Sequence, residues 1–305
     1  MKGGSRAGVR RSDPGGGPFR ADGEPPPSRR IGRTVAGALR PILGAPALVL
    51  EPREEDGPRY IIIADLHLGL GATPERPLGP PEAHVPRLAS DLAELARRAR
   101  AAGIVIAGDA KHPIVGVPPA LRTVLFDFSS DILARGLSLE VIVGNHDVGL
   151  ARYLPREVTV HPATGLVRYG VGIFHGHRWP SARVLRCESL VVGHLHPGVR
   201  FAPTTSDPMG KRRCWLRVEF PSPKAPRRGR RRIRAKEMVV IPAFNPVAGT
   251  EALNRDRPGR GKTFLYRRFL LHGNSRAYLL DGTDVGSVRM PGPELRPRAR
   301  APSDR

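Results

Sequence analysis

Three apolar runs set the frame of this chain, because each stops at residues that bind metals or move protons. The strand expected over Arg59–Ala64, apolar throughout at Tyr60–Ile63, ends at Asp65. Ile104–Ala107 ends at Gly108-Asp109, and Leu139–Val143 ends at Gly144-Asn145-His146-Asp147. Between them Leu88, Leu92, Leu95 and Ala99 recur at helical spacing, with Arg97, Arg98 and Arg100 outside. Leu121, Leu125, Phe128 and Leu133 mark a second helix, and Gly103 and Gly136 are expected to stop the two. Strand–helix–strand–helix–strand argues for an α/β layered fold. Continuous apolar strands of this kind are covered on both faces.

The second half is richer in strands. Val158–His161, Leu166–Tyr169, Val171–Phe174 and Leu190–Val192 follow one another, and the last two end at histidines. Cys214–Phe220, Glu237–Ile241, Phe264–Leu271, Ala277–Leu280 and Val285–Met290 are further expected strands, and Ala47–Leu50 is a short one upstream. Two packed sheets with outer helices accommodate both halves. Gly and Pro crowd the first forty residues, the stretch after Phe220 and the extreme C-terminus, which lack the apolar content to offset the entropy of ordering them. The expected division is a disordered basic tail over 1–40, one domain over 41–292 with a basic insert at about 221–236, and a disordered tail over 293–305.

The chain carries 50 Lys plus Arg against 28 Asp plus Glu, a net charge of +22, which favours a polyanion such as DNA or RNA. Much of that charge lies in the expected insert, at Arg227, Arg228, Arg230, Arg231, Arg232 and Arg234, where a solvated loop is the plainer reading. Cys187 and Cys214 make neither a disulfide scaffold nor a cysteine metal site, so a reducing compartment, the cytoplasm, is expected. No apolar stretch is long enough to span a membrane, and the N-terminus has no apolar segment of the secretory kind. A homodimer is compatible with the sequence, and no protein partner is indicated.

Five clusters carry the chemistry. Asp65-Leu66-His67 places two ligand types two residues apart, on one side of an extended backbone. Gly108-Asp109 puts a carboxylate beyond a strand's carboxyl end, where ligands bind in open α/β sheets. Gly144-Asn145-His146-Asp147, His175-Gly176-His177 and Gly193-His194-Leu195-His196 complete the set. Each alone reads as a cap or a turn. Together they place His67, His146, His175, His177, His194 and His196, of only ten histidines, at strand ends. Asp, Asn and His without thiolate suit manganese, iron, zinc or nickel. The supply exceeds the needs of one ion, and two ions roughly 3.5–4 Å apart clamp the attacking and leaving oxygens of a phosphoryl transfer. Asp109 is the natural bridge. There is no Gly-rich phosphate loop, so ATP binding is not expected.

The ordered set Asp65-x-His67, Gly108-Asp109-x-x-His112, Gly144-Asn145-His146-Asp147, His175-Gly176-His177, Gly193-His194-x-His196 resembles the signature of the calcineurin-like metallophosphoesterases. The resemblance spans about 47–292 and implies a four-layered α/β/β/α sandwich of two packed mixed sheets. Ile63–Gly69, Gly193–Pro197 and Ile241–Asn245 look most like small archaeal phosphoesterases related to SbcD-like repair nucleases, and like bacterial phosphoesterases encoded near DNA ligases. The resemblance implies Asp65, His67, Asp109 and His196 around one ion and Asp109, Asn145, His175 and His194 around the other. It implies two divalent ions, Mn2+ first, with Fe, Zn or Ni as alternatives. His146 resembles the residue beside the scissile phosphate, with Asp147 orienting it. His177 is expected near the site but not as a ligand. His112 is expected at the edge, and Lys111 is read as solvated or as a phosphate contact. The implied activity is hydrolysis of a phosphodiester in nucleic acid or a nucleotide-like molecule, in DNA metabolism. The rivals are a phosphomonoesterase or cyclic-nucleotide phosphodiesterase, and a non-catalytic basic nucleic-acid-binding protein.

Overall fold

Successive side chains of the central strands point to opposite faces and are buried on both, and that alternation builds three apolar layers from two sheets. The computed structural model describes residues 38–52, 57–70, 84–202, 210–220, 233–254, 265, 269–270 and 273–288. Most of the expected tails, most of the loop from Gly69 to Pro86 and the Arg227–Arg232 part of the insert lie outside the described residues.

The first sheet has six strands in the order β1 (Ala38–Pro41), β2 (Leu48–Glu51), β3 (Arg59–Ile63), β4 (Ala101–Ile106), β5 (Ser138–Ile142) and β6 (Thr159–His161). β3 to β6 run parallel, and β1 and β2 add an antiparallel edge. Helices α1 (His84–Ala99) and α2 (Pro119–Ala134) make the crossovers between β3, β4 and β5. They cover the outer face, where Leu88, Leu92, Leu121, Leu125 and Phe128 pack with Ile61, Ile63, Ile104 and Val141.

The second sheet has nine strands: β7 (Leu166–Arg168), β8 (Val171–Phe174), β9 (Ser189–Val192), β10 (Pro197–Arg200), β11 (Lys211–Glu219), β12 (Glu237–Val240), β13 (Glu251–Ala252), β14 (Asn274–Leu279) and β15 (Asp284–Val288). β8, β9 and β12 are parallel neighbours, and β11 pairs antiparallel with β10, β12 and β14. Leu48, Leu50, Ile62 and Val105 of one sheet meet Val171, Ile173, Val191, Trp215 and Val239 of the other, and this is the buried seam between sheets. The outer face of the second sheet is covered by Val184 and Leu185 of the one-turn helix α3 (Ala182–Leu185) and by Leu265, Phe269 and Leu270. The order is α/β/β/α, with a thin fourth layer.

Four expectations need correction. Gly103 does not stop α1. The turn is made at Arg100, with φ 52°, and Gly103 lies inside β4, where a Cβ would stand 2.0 Å from Ser138 Oγ. The described residues of Phe264–Leu271 are not a strand: the Phe269 amide donates to the Leu265 carbonyl at 3.0 Å, which is helical bonding. β1 begins at Ala38, within the last three residues of the expected N-terminal tail, and its Leu39 is buried opposite Leu50. The short strands β10 and β13, which pair with each other in parallel, were not anticipated. Cys187 and Cys214 are free and buried. Among the described residues no helix is long and apolar enough to cross a membrane.

Candidate metal centre

The five clusters converge because their strands are neighbours. β3, β4 and β5 sit side by side and release Asp65, Asp109 and Asn145 at their carboxyl ends. β8 and β9 sit side by side in the facing sheet and release His175 and His194. The Asp65 carboxylate joins the sheets directly, accepting the His194 amide at 3.0 Å.

The turns that aim these side chains are costly. Seven described non-glycine residues have positive φ, and five are expected ligands: Asp65 (59°), His67 (46°), Asp109 (54°), His194 (66°) and His196 (49°). Left-handed backbone costs about 1–2 kcal/mol per non-glycine residue, and such strain concentrates where function needs it. Gly108, with φ 92°, leaves room for His175, since a Cβ there would stand 2.4 Å from the ring. Gly144 lets Asp109 approach, with a Cβ 2.2 Å from Oδ1.

Three groups of donors result among the described residues, His67–His112–His146 and two that hold an aspartate. In the first of those two, His196 Nε2 lies 3.2 Å from Asp65 Oδ1 and 3.2 Å from His67 Nε2. In the second, His175 Nε2 lies 3.2 Å from Asp109 Oδ2 and 3.2 Å from Asn145 Oδ1, with His194 alongside. Within each of the triads Asp65–His67–His196 and Asp109–His175–His194, ligand atoms lie within 4.8 Å of one another. His67 Nε2, 3.8 Å from Asp109 Oδ2, links the two.

This donor set fits divalent ions. His175 Nδ1–H donates to the Ala107 carbonyl at 2.9 Å and His196 Nδ1–H to the Ala248 carbonyl at 3.3 Å, so each presents a bare Nε2 to the centre when neutral. Asp65 and Asp109 are buried to 0% and 2% exposure, and such charges are held by partners or metals. Burial opposes ionisation of Asp65, but the adjacent His196 imidazole brings its carboxyl down to about 2. Burial opposes ionisation of Asp109 too, and His175 holds it far below the usual carboxylate range. Burial pushes the His67 imidazole down to about 3. For His175 burial is outweighed by Asp109, which lifts it to about 9. Both carboxylates therefore stay anionic.

His146 stands at the rim, its side chain 17% exposed, with Nε2 3.8 Å from Asp109 Oδ2. Its Nδ1–H donates to the His112 carbonyl. Asp147 does not take the role expected of it beside the His146 ring. Its buried carboxylate accepts the Gly144 amide at 2.8 Å and the Lys111 amide at 3.1 Å, so it closes the loop. Burial, then the charge of Asp109, raises its pKa. His112 Nδ1 is 3.4 Å from His67 Nδ1, a brace on the far nitrogen of a ligand. The buried Nδ1 of His177 has no hydrogen-bond partner, and its ring packs 5.4 Å from His175, which leaves it beside the centre. Burial pushes it down to about 4.

Lys111 is fully buried, which its sequence position did not suggest. Asn245 was also missed as a working residue. Its Nδ2 donates to the Leu66 carbonyl at 2.8 Å, and the Phe244 amide donates to the Ala64 carbonyl at 2.9 Å, pinning the first ligand loop from the second sheet. The signal for it was the Ile241–Asn245 stretch at a strand end, one of those that carry the resemblance.

Among solved structures the chain is similar to a nuclease MPE from Pseudomonas putida, with 17% identity over 80% of this chain and 97% of that one and a TM-score of 0.47. It is also similar to YfcE, a phosphoesterase from E. coli, with 16% identity over 75% of this chain and 97% of that one and a TM-score of 0.35. No family model matches the chain, and no curated protein does. What the side chains themselves present is a two-sheet α/β protein that gathers two Asp–His–His triads at one edge.

Proposed function

We propose that this protein is a metal-dependent phosphodiesterase of the calcineurin-like kind, acting on nucleic acid or a nucleotide-like diester. The observation that carries the reading is the pair of buried Asp–His–His triads, Asp65–His67–His196 and Asp109–His175–His194, linked through Asp109. Asn145 joins the second triad through its side-chain oxygen. Mn2+ suits this hard-to-borderline set, and Fe, Zn or Ni are the other candidates. Two divalent ions bound there supply a water of lowered pKa and a positive clamp on the phosphoryl oxygens.

The chain's own residues supply the rest. The His112 carbonyl can only accept, so it holds the His146 Nδ1–H and leaves Nε2 facing the centre. In the imidazolium form Nε2 donates to the departing oxygen or to a phosphoryl oxygen as negative charge develops there. Asp109 Oδ1 accepts the His146 amide at 2.9 Å, tying that residue to the carboxylate of the second triad. The net charge of +22, with exposed Arg178 and Arg200 in the stretches after His177 and His196, supports a polyanionic substrate.

The test is cleavage of labelled DNA, RNA and small phosphodiesters with and without Mn2+, beside a His146→Ala control. Metal-dependent cleavage of a diester is expected, with His146→Ala keeping its metal and losing roughly 10²–10⁴-fold in turnover. Cleavage confined to phosphomonoesters would overturn the substrate class, and cleavage insensitive to chelation would overturn the chemistry.

A further inference from the structure

Lys111 is among the largest side chains with no exposure at all. Lysine is almost never fully buried without a charged partner. Here the ammonium donates to two backbone carbonyls, those of Pro113 and His146. The same residue's amide donates to Asp147 Oδ1 at 3.1 Å.

The bonds of His146 all run to this one segment. Its amide donates to Asp109 Oδ1, its ring Nδ1–H to the His112 carbonyl, and its own carbonyl accepts from the Lys111 ammonium. Only Nε2 is left facing the centre. The segment itself is pinned to the first ligand loop. Leu68 and Lys111 form a parallel bridge, the Leu68 amide donates to the Ala110 carbonyl and the His112 amide to the Leu68 carbonyl, each within 2.9 Å. Lys111 thus stands where the 65–68, 109–112 and 144–147 loops cross.

Burying an ammonium among carbonyls is expensive, and an apolar side chain of similar volume is often neutral or stabilising in such a place. Here the Asp147 and Asp109 carboxylates nearby favour the charge, and one of the two carbonyls it holds is that of His146. We propose that Lys111 is the positioning residue of His146, its ammonium holding the His146 carbonyl so that Nε2 stays aimed at the reacting phosphate. The inference deepens the phosphodiesterase reading and rests on His146 acting in the chemical step. Misplacing a catalytic group by about 1 Å costs on the order of 10²-fold.

The test is a double-mutant cycle of Lys111→Met and His146→Ala in the full chain, read as kcat and KM on a small diester, with metal content and melting temperature recorded for each variant. Lys111→Met is expected to lower kcat on the order of 10²-fold with KM and metal content unchanged. In the His146→Ala background the same change is expected to have almost no effect, because coupled residues are not additive. Lys111→Gln, which keeps a donor on a shorter arm, should fall between the two and carries the cycle if the methionine variant does not fold. Equal losses in both backgrounds, or an unchanged kcat in Lys111→Met, would overturn the positioning role alone. Full turnover by His146→Ala would overturn the role of His146 and the inference with it.

Discussion

At the scale of single residues, each candidate ligand depends on a group that aims it. Asp, Asn and His at strand ends announce themselves by chemistry and spacing. The groups that aim them are mostly backbone carbonyls, of Ala107, His112 and Ala248, and any residue type supplies a carbonyl. The left-handed turns at Asp65, His67 and Asp109 are equally silent, since strain of that kind is normally signalled by glycine. Asp147 shows the difference best. Its position after His146 suggested a ring partner, whereas its oxygens close the 144–147 loop onto Lys111. Asp147→Asn replaces one acceptor with a donor facing an amide. It is expected to lower stability by about 1–3 kcal/mol, seen as a lower melting temperature, with turnover reduced through the loosened loop. An unchanged melting temperature with lost turnover would restore the original assignment beside the His146 ring.

At the scale of elements, the long apolar runs gave strands and helices close to those observed, because β3, β4 and β5 are buried on both faces and α1 and α2 carry a periodic apolar stripe. The failures were β1, β10 and β13, strands of two to four residues that are fixed by pairing with a neighbouring strand and are too short to show a period of their own. The two sheets are also clipped together by charge. Glu140 of β5 takes His161 of β6 at 2.7 Å and Arg168 of β7 at 2.7 Å, and that guanidinium lies 3.9 Å from the Tyr60 ring centroid. Burial raises the Glu140 pKa, but the His161 and Arg168 hydrogen bonds outweigh it and hold the carboxyl below its ordinary value. A depressed folded-state pKa means stability present above the ordinary carboxylate pKa and lost as the pH falls through the folded value. Glu140→Gln is therefore expected to cost about 1.5–3 kcal/mol near pH 7 and to flatten the fall of melting temperature in acid. Parallel acid melting curves for the two proteins would show that the clip contributes nothing.

At the scale of the whole molecule, function follows from how two sheets meet. Trp215, Val239 and Val191 face Ile62 and Val105 across the seam, and that packing sets the first three ligand loops against the last two. The layered class and the single clustered edge were legible, since three strands in one half and two in the other ended in ligands. The register between sheets was not, because it depends on side-chain volumes along the whole seam. The five loops are expected to make one two-ion centre. Anomalous scattering from crystals grown with Mn2+ tests this most directly. Two peaks are expected, one held by Asp65, His67 and His196 and the other by Asn145, His175 and His194, with the Asp109 carboxylate between them. A single fully occupied peak under excess Mn2+, with Asp109 turned away from it, would show that the loops do not make a two-ion centre.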